Sequence, residues 1–106
     1  MATHKAPIEG VIKEEYERQK RLSELYIKKI SKLPKGSISY QSRQNNVYAY
    51  LKYKNGKKVV NQYLGPKGAD MIDDTQKQIE KRKKIEAQLE EVKKNIRRME
   101  KLLHAK

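Results

Sequence analysis

Between Pro34 and Gly68 the chain carries Lys35, Arg43, Lys52, Lys54, Lys57, Lys58 and Lys67 but neither Asp nor Glu. Five of its seven tyrosines, Tyr40, Tyr48, Tyr50, Tyr53 and Tyr63, share that stretch. Lys and Arg bind phosphate oxygens, phenol rings stack on bases or pack on sugars, and Gln41, Arg43 and Asn61 carry groups that read base edges. A purely cationic, tyrosine-rich segment suits a polyanion better than a small neutral substrate. The expectation is a non-enzymatic nucleic-acid-binding protein that holds DNA or RNA through Lys35, Arg43, Tyr48, Tyr50, Lys52, Lys54, Lys57, Lys58, Asn61, Tyr63 and Lys67. A plainer reading stands beside it. Tyr favours strands and Lys populates exposed β surfaces, so a Tyr48–Tyr63 pair can brace a hairpin and do nothing more.

Other candidate chemistry is thinner. Lys81-Arg82-Lys83-Lys84 is a second basic cluster, with Lys93-Lys94 and Arg97-Arg98 a third. Glu80, Glu86, Glu90, Glu91 and Glu100 interleave with these bases at helical pairing distance. That pattern describes a solvated helix face laced with weak ion pairs, with phosphate tracking by Lys81 to Lys84 as the alternative. His4 and His104 lie at the chain's two ends with no Cys or acid cluster at ligand spacing, so no metal site is expected. Asp70, Asp73 and Asp74 suit a helix start. Leu64-Gly65-Pro66-Lys67-Gly68 lacks the Gly-x4-Gly-Lys-Ser/Thr pattern of a phosphate loop. No catalytic residue, metal or cofactor is expected, and the protein reads as not an enzyme.

The elements that must position the basic segment follow from hydrophobic period. From Ile8 to Leu33 much of the apolar spacing is three or four, with a polar gap from Glu17 to Arg21, which predicts an amphipathic helix with Pro7 in its first turn and Leu33-Pro34 at its end. The period then changes to two. Asn55-Gly56 is a two-residue hairpin signal, and Asn45-Asn46 a weaker one. Strands of roughly Ser37–Arg43, Val47–Lys54 and Lys57–Leu64 follow. These turns pair Lys54 with Lys57, Leu51 with Val60, Tyr50 with Asn61 and Tyr48 with Tyr63, and in the first hairpin Arg43 with Tyr48, Gln41 with Tyr50 and Tyr40 with Leu51. One sheet face then carries Ile38, Tyr40, Val47, Ala49, Leu51, Val60 and Leu64, a core surface. The other carries Gln41, Arg43, Tyr48, Tyr50, Lys52, Lys54, Lys57, Asn61 and Tyr63.

After Gly65-Pro66-Lys67-Gly68 a single helix is expected to run to Leu103. Ile85, Leu89, Val92, Ile96, Met99 and Leu103 repeat at a four-three-four-three-four spacing, a coiled-coil seam. The seam serves either to pack on the first helix, which is favoured, or to pair with a second copy or another partner's helix. The fold class is α+β: an N-terminal amphipathic helix (1–33), a basic three-stranded antiparallel meander (34–68) and a long C-terminal coiled-coil-like helix (69–106).

Composition sets the limits. The chain has 106 residues, a formal net charge of +13, 36% hydrophobic and 37% charged residues, and no Cys, Trp or Phe. Its core must be small, and disulfides and thiolate metal sites are excluded. No apolar run approaches the ~20 residues of a membrane span. Met1-Ala2-Thr3-His4-Lys5 lacks the apolar core of a secretory signal, so cytoplasmic residence is expected.

The block Leu33-Pro34-Lys35-Gly36-Ser37-Ile38, Val47-Tyr48-Ala49-Tyr50-Leu51-Lys52-Tyr53 and Gly56-Lys57-Lys58-Val59-Val60-Asn61-Gln62-Tyr63-Leu64-Gly65-Pro66 resembles a short domain of uncharacterised bacterial, archaeal and phage or plasmid proteins. Asn61-Gln62 stands where that pattern has Ser-Lys, and Ala49 replaces the middle Tyr of a triplet. The architecture is also similar to the arm-type DNA-binding domain of integrases, where a three-stranded sheet enters the major groove. Both likenesses imply a mobile-element setting. The rival to nucleic-acid binding is an interaction protein, a phage-encoded inhibitor of anti-CRISPR type that docks on a host nucleic-acid-processing complex. A ribosome-associated or scaffold protein is a third reading.

Overall fold

The computed structural model describes residues 8–104; His4 and Pro7 lie outside them. In order come α1 (Ile8–Ser31), β1 (Ser37–Arg43), β2 (Asn46–Asn55), β3 (Lys58–Pro66) and α2 (Asp70–His104). The fold is α+β: helix, antiparallel meander in the order β1-β2-β3, long helix. The chain forms two compact units. One is helical and takes in α1 up to Ile30 and α2 from Ile85 to His104; the other, Ser31–Lys84, holds the sheet and the first half of α2.

Local chemistry explains the boundaries. Leu33 precedes Pro34, whose ring disfavours helical backbone in the residue before it. Gly36 then takes a φ of 110° that an L side chain avoids, and a Cβ there would meet the Lys52 carbonyl oxygen at 2.2 Å. Asp70 and Asp73 occupy the first turn of α2, where carboxylates complement the partial positive charge of the helix end.

The meander has the expected strand order and faces, but both hairpins are slipped by two residues. The first turn is Gln44-Asn45, both at positive φ (49° and 69°), which brings Arg43 opposite Asn46 rather than Tyr48. Gln41 faces Tyr48, and Ile38 rather than Tyr40 faces Leu51. The second turn is Gly56-Lys57, with Gly56 at φ 68°, so Asn55 pairs Lys58, Lys54 pairs Val59 and Lys52 pairs Asn61. Both slips are even, so no side chain changes face. Past Tyr50↔Tyr63 a bulge leaves Leu64 unpaired and sets Gly65 opposite Ala49 and Pro66 opposite Tyr48. Pro66 sits on an edge strand, where its missing N–H costs no ladder bond.

The buried residues of the sheet unit are Ala49 and Leu51 on the central strand, Gly65 on β3, and Ile72, Thr75 and Ile79 on one stripe of α2. Arg82 lies with Leu51, Tyr53 and Gln62 around one depression and donates from Nη1 to the Leu33 carbonyl oxygen at 2.7 Å. The helix therefore covers the Leu51 face. Tyr40, expected in that core, is 55% exposed; β1 is an edge strand, and its ring stands at the border of the covered area.

In the helical unit the α2 seam buries Ile85, Leu89 and Val92, while Ile96, Met99 and Leu103 are half-buried. The half-buried residues of α1 include Ile12, Tyr16, Gln19, Tyr26 and Ile30. The Tyr16 hydroxyl donates to Glu100 Oε2 at 3.0 Å, tying the first half of α1 to the last turns of α2 as an antiparallel pair requires. The seam is thus packed within one chain.

Candidate nucleic-acid interface

Alternation along β2, the central strand, sends Tyr48, Tyr50, Lys52 and Lys54 to the side opposite Ala49 and Leu51. Pairing adds Gln41 beside Tyr48, Ser39 and Tyr63 on either side of Tyr50, and Ser37 and Asn61 on either side of Lys52. Arg43 closes one end of this face and Lys54 the other, about 27 Å apart along the strand direction.

The three rings form one cluster. The Tyr63 centroid lies 5.5 Å from that of Tyr50 and 6.2 Å from that of Tyr48, with planes tilted by 58° and 52°. The expected partner of Tyr63 was Tyr48. The two-residue slip makes it Tyr50, and the bulge keeps Tyr63 within reach of both rings. Tyr63 is 54% exposed, and Tyr48 and Tyr50 are half-buried. Arg43, Gln44 and the three rings line an open depression. Tilted, mutually supporting rings hold their orientation at low entropic cost and offer edges and faces to a planar ligand.

The cations distribute as follows. Lys52 and Lys54 share the tyrosine face and are exposed, and Lys57 lies in the turn beside them. Lys58, paired with Asn55, takes the alternation of the Leu51 face, so it borders the surface at the hairpin tip. Lys35 and Lys67 are exposed in the connections before β1 and after β3, and Lys67 N–H bonds the Val47 carbonyl oxygen at 2.8 Å. Of the second basic cluster, Lys81, Lys83 and Lys84 are exposed on α2, whereas Arg82 is half-buried with its guanidinium on Leu33. The register also brings in Ser37, Ser39 and Gln44, which the sequence reading did not single out; only the actual turn positions identify them.

His104 is exposed at the end of α2, and Asp70, Asp73 and Asp74 are exposed in its first turns. Among the described residues, no three His, Cys, Asp or Glu side chains are grouped to hold a metal ion. No helix among them is long and apolar enough to cross a membrane. Glu15 on α1 is held below the usual glutamate value first by the Arg18 hydrogen bond and then by that from Gln19.

Fold and surface together define a helix–meander–helix protein that presents a basic, tyrosine-bearing sheet face. Residues 11–74, more than half of the chain, match the domain of unknown function DUF6788, and the chain belongs to that family. The match spans most of α1, the whole meander and the first turn of α2. No curated protein and no solved structure matches the chain.

Proposed function

We propose that the protein binds nucleic acid without catalysis, through the sheet face of Tyr48, Tyr50 and Tyr63 flanked by Arg43, Lys52, Lys54 and Lys57. The observation that carries this reading is the clustering of three rings on a sheet module devoid of carboxylates, with a cation at each end of the face. Phosphates would pair with Lys and Arg, bases would stack on the rings, and Asn61, Gln41 and Ser39 would supply hydrogen bonds. With no carboxylate in the module, an approaching polyanion meets no local repulsion.

The test is fluorescence anisotropy with labelled single-stranded and duplex oligonucleotides. If six or more phosphates are neutralised, affinity should fall by about 10³ or more between about 50 and 200 mM salt. Replacing Lys52, Lys54 and Lys57 together by Glu should abolish binding while leaving the circular dichroism spectrum unchanged. A salt-independent affinity, or a triple variant that binds normally, would overturn the reading and point to a protein partner.

A further inference from the structure

We propose that the protein is a homodimer, formed by antiparallel pairing of α1 with the α1 of a second copy about a two-fold axis near Tyr16–Glu17. This inference does not depend on the nucleic-acid reading.

No residue of α1 is buried, although one of its faces packs toward α2. A second stripe, roughly 100° around the helix, runs through Ile8, Val11, Glu15, Arg18, Leu22 and Leu25 at a three-four-three-four-three spacing. That is the spacing of a coiled-coil seam, sustained along most of the 24-residue helix. Three of its four apolar members stand in water, Ile8 78%, Val11 54% and Leu25 47% exposed, and Leu22 is half-buried. Shallow grooves flank the stripe, one along Val11, Glu14 and Arg18, the other along Arg21, Leu22 and Leu25. They are of the kind that knobs from a facing helix fill.

The order of residues identifies the occupant. About its midpoint the stripe is its own complement: Ile8 maps on Leu25, Val11 on Leu22, and Glu15 on Arg18. A two-fold antiparallel pairing therefore sets apolar on apolar in the outer layers. In the central ones the Glu15–Arg18 pair, already bonded within each helix, lies against the inverted pair of its copy, acid facing base, with each contact made twice. The flanking positions obey the same rule, since Glu14 falls near Arg21 of the second copy. Within one helix Glu14 and Arg21 are about 10.5 Å apart along the axis and do not serve each other. Parallel pairing would instead stack Glu15 on Glu15 and Arg18 on Arg18, which repel. A self-complementary, isologous surface fits a second copy of this chain. The α2 seam is already packed within the monomer, so dimerisation through it is not needed.

The chain contains no cysteine, so single sites can be introduced on a clean background. Sedimentation equilibrium of the full chain should give twice the 12.5 kDa monomer mass at micromolar concentration. The double variant Val11→Cys/Leu22→Cys should oxidise to a covalent dimer, while each single variant should not. Residues 11 and 22 lie about 16.5 Å apart along one helix, too far for a disulfide within it. Glu14→Arg and Arg21→Glu should each weaken dimerisation by about tenfold, and the combined swap should restore it. A monomer at all concentrations, a dimer that the double-cysteine variant fails to link, or self-linking by Val11→Cys alone would overturn the proposal. So would a combined charge swap no tighter than its single parts.

Discussion

Tyr63 is the residue on which the sheet surface turns, because its ring touches both Tyr48 and Tyr50. Base stacking on a Tyr ring is worth about 1–3 kcal/mol per base, so Tyr63→Ala should lower single-strand affinity by roughly 5- to 150-fold. Tyr63→Phe keeps the ring and should bind nearly as the parent does. Thermal stability should change little in either variant, since more than half of Tyr63 is already in water. Anisotropy and a melting curve on the same samples check both statements; equal affinity of the Ala and Phe variants would remove Tyr63 from the binding surface. The presence of a ring at position 63 is plain in the sequence. Its neighbour is not, because the Tyr50–Tyr63 pairing depends on which two residues make the turn.

At the level of elements, the meander rests on backbone positions that only glycine fills easily. At Gly36 a φ of 110° coincides with a Cβ position 2.2 Å from the Lys52 carbonyl oxygen. Backbone strain of this kind costs about 1–3 kcal/mol before the clash is counted. Gly36→Ala should therefore lower Tm by roughly 10 °C, as for a loss of about 2 kcal/mol in a domain of this size. A Tm within a degree or two of the parent would show that the α1–β1 connection relaxes freely. The strands themselves were legible, as was the sorting of Tyr48, Tyr50 and Lys52 away from Ala49 and Leu51, because alternation has a period of two. The hairpin register was not. Asn-Gly is a favoured turn pair, yet Asn55 joins the ladder and Gly56-Lys57 turns, and Gln44-Asn45 replaces Asn45-Asn46. Cross-strand packing decides between registers two residues apart, and local turn preference does not.

At the scale of the whole molecule the charge of +13 acts on everything at once. Like charges within a compact chain oppose folding, and salt screens them over about 10 Å at 0.1 M. Adding salt should therefore raise Tm by a few degrees while it weakens oligonucleotide binding. Opposite signs for the two responses are the expected result, and a Tm that falls with moderate salt would mean that attractive ion pairs outweigh the repulsion. The +13, the succession of helix, meander and helix, and the two faces of the sheet were determined by the amino-acid sequence alone. Each follows from composition or from a local repeat of 2, 3.5 or 3.6 residues. Tertiary structure alone decided that Tyr40 stays exposed at the sheet edge, that Tyr63 meets two rings across a bulge, and that α1 is left with a second apolar stripe in water. These depend on which surfaces cover which, and a periodic pattern states that a face must be covered without stating by what.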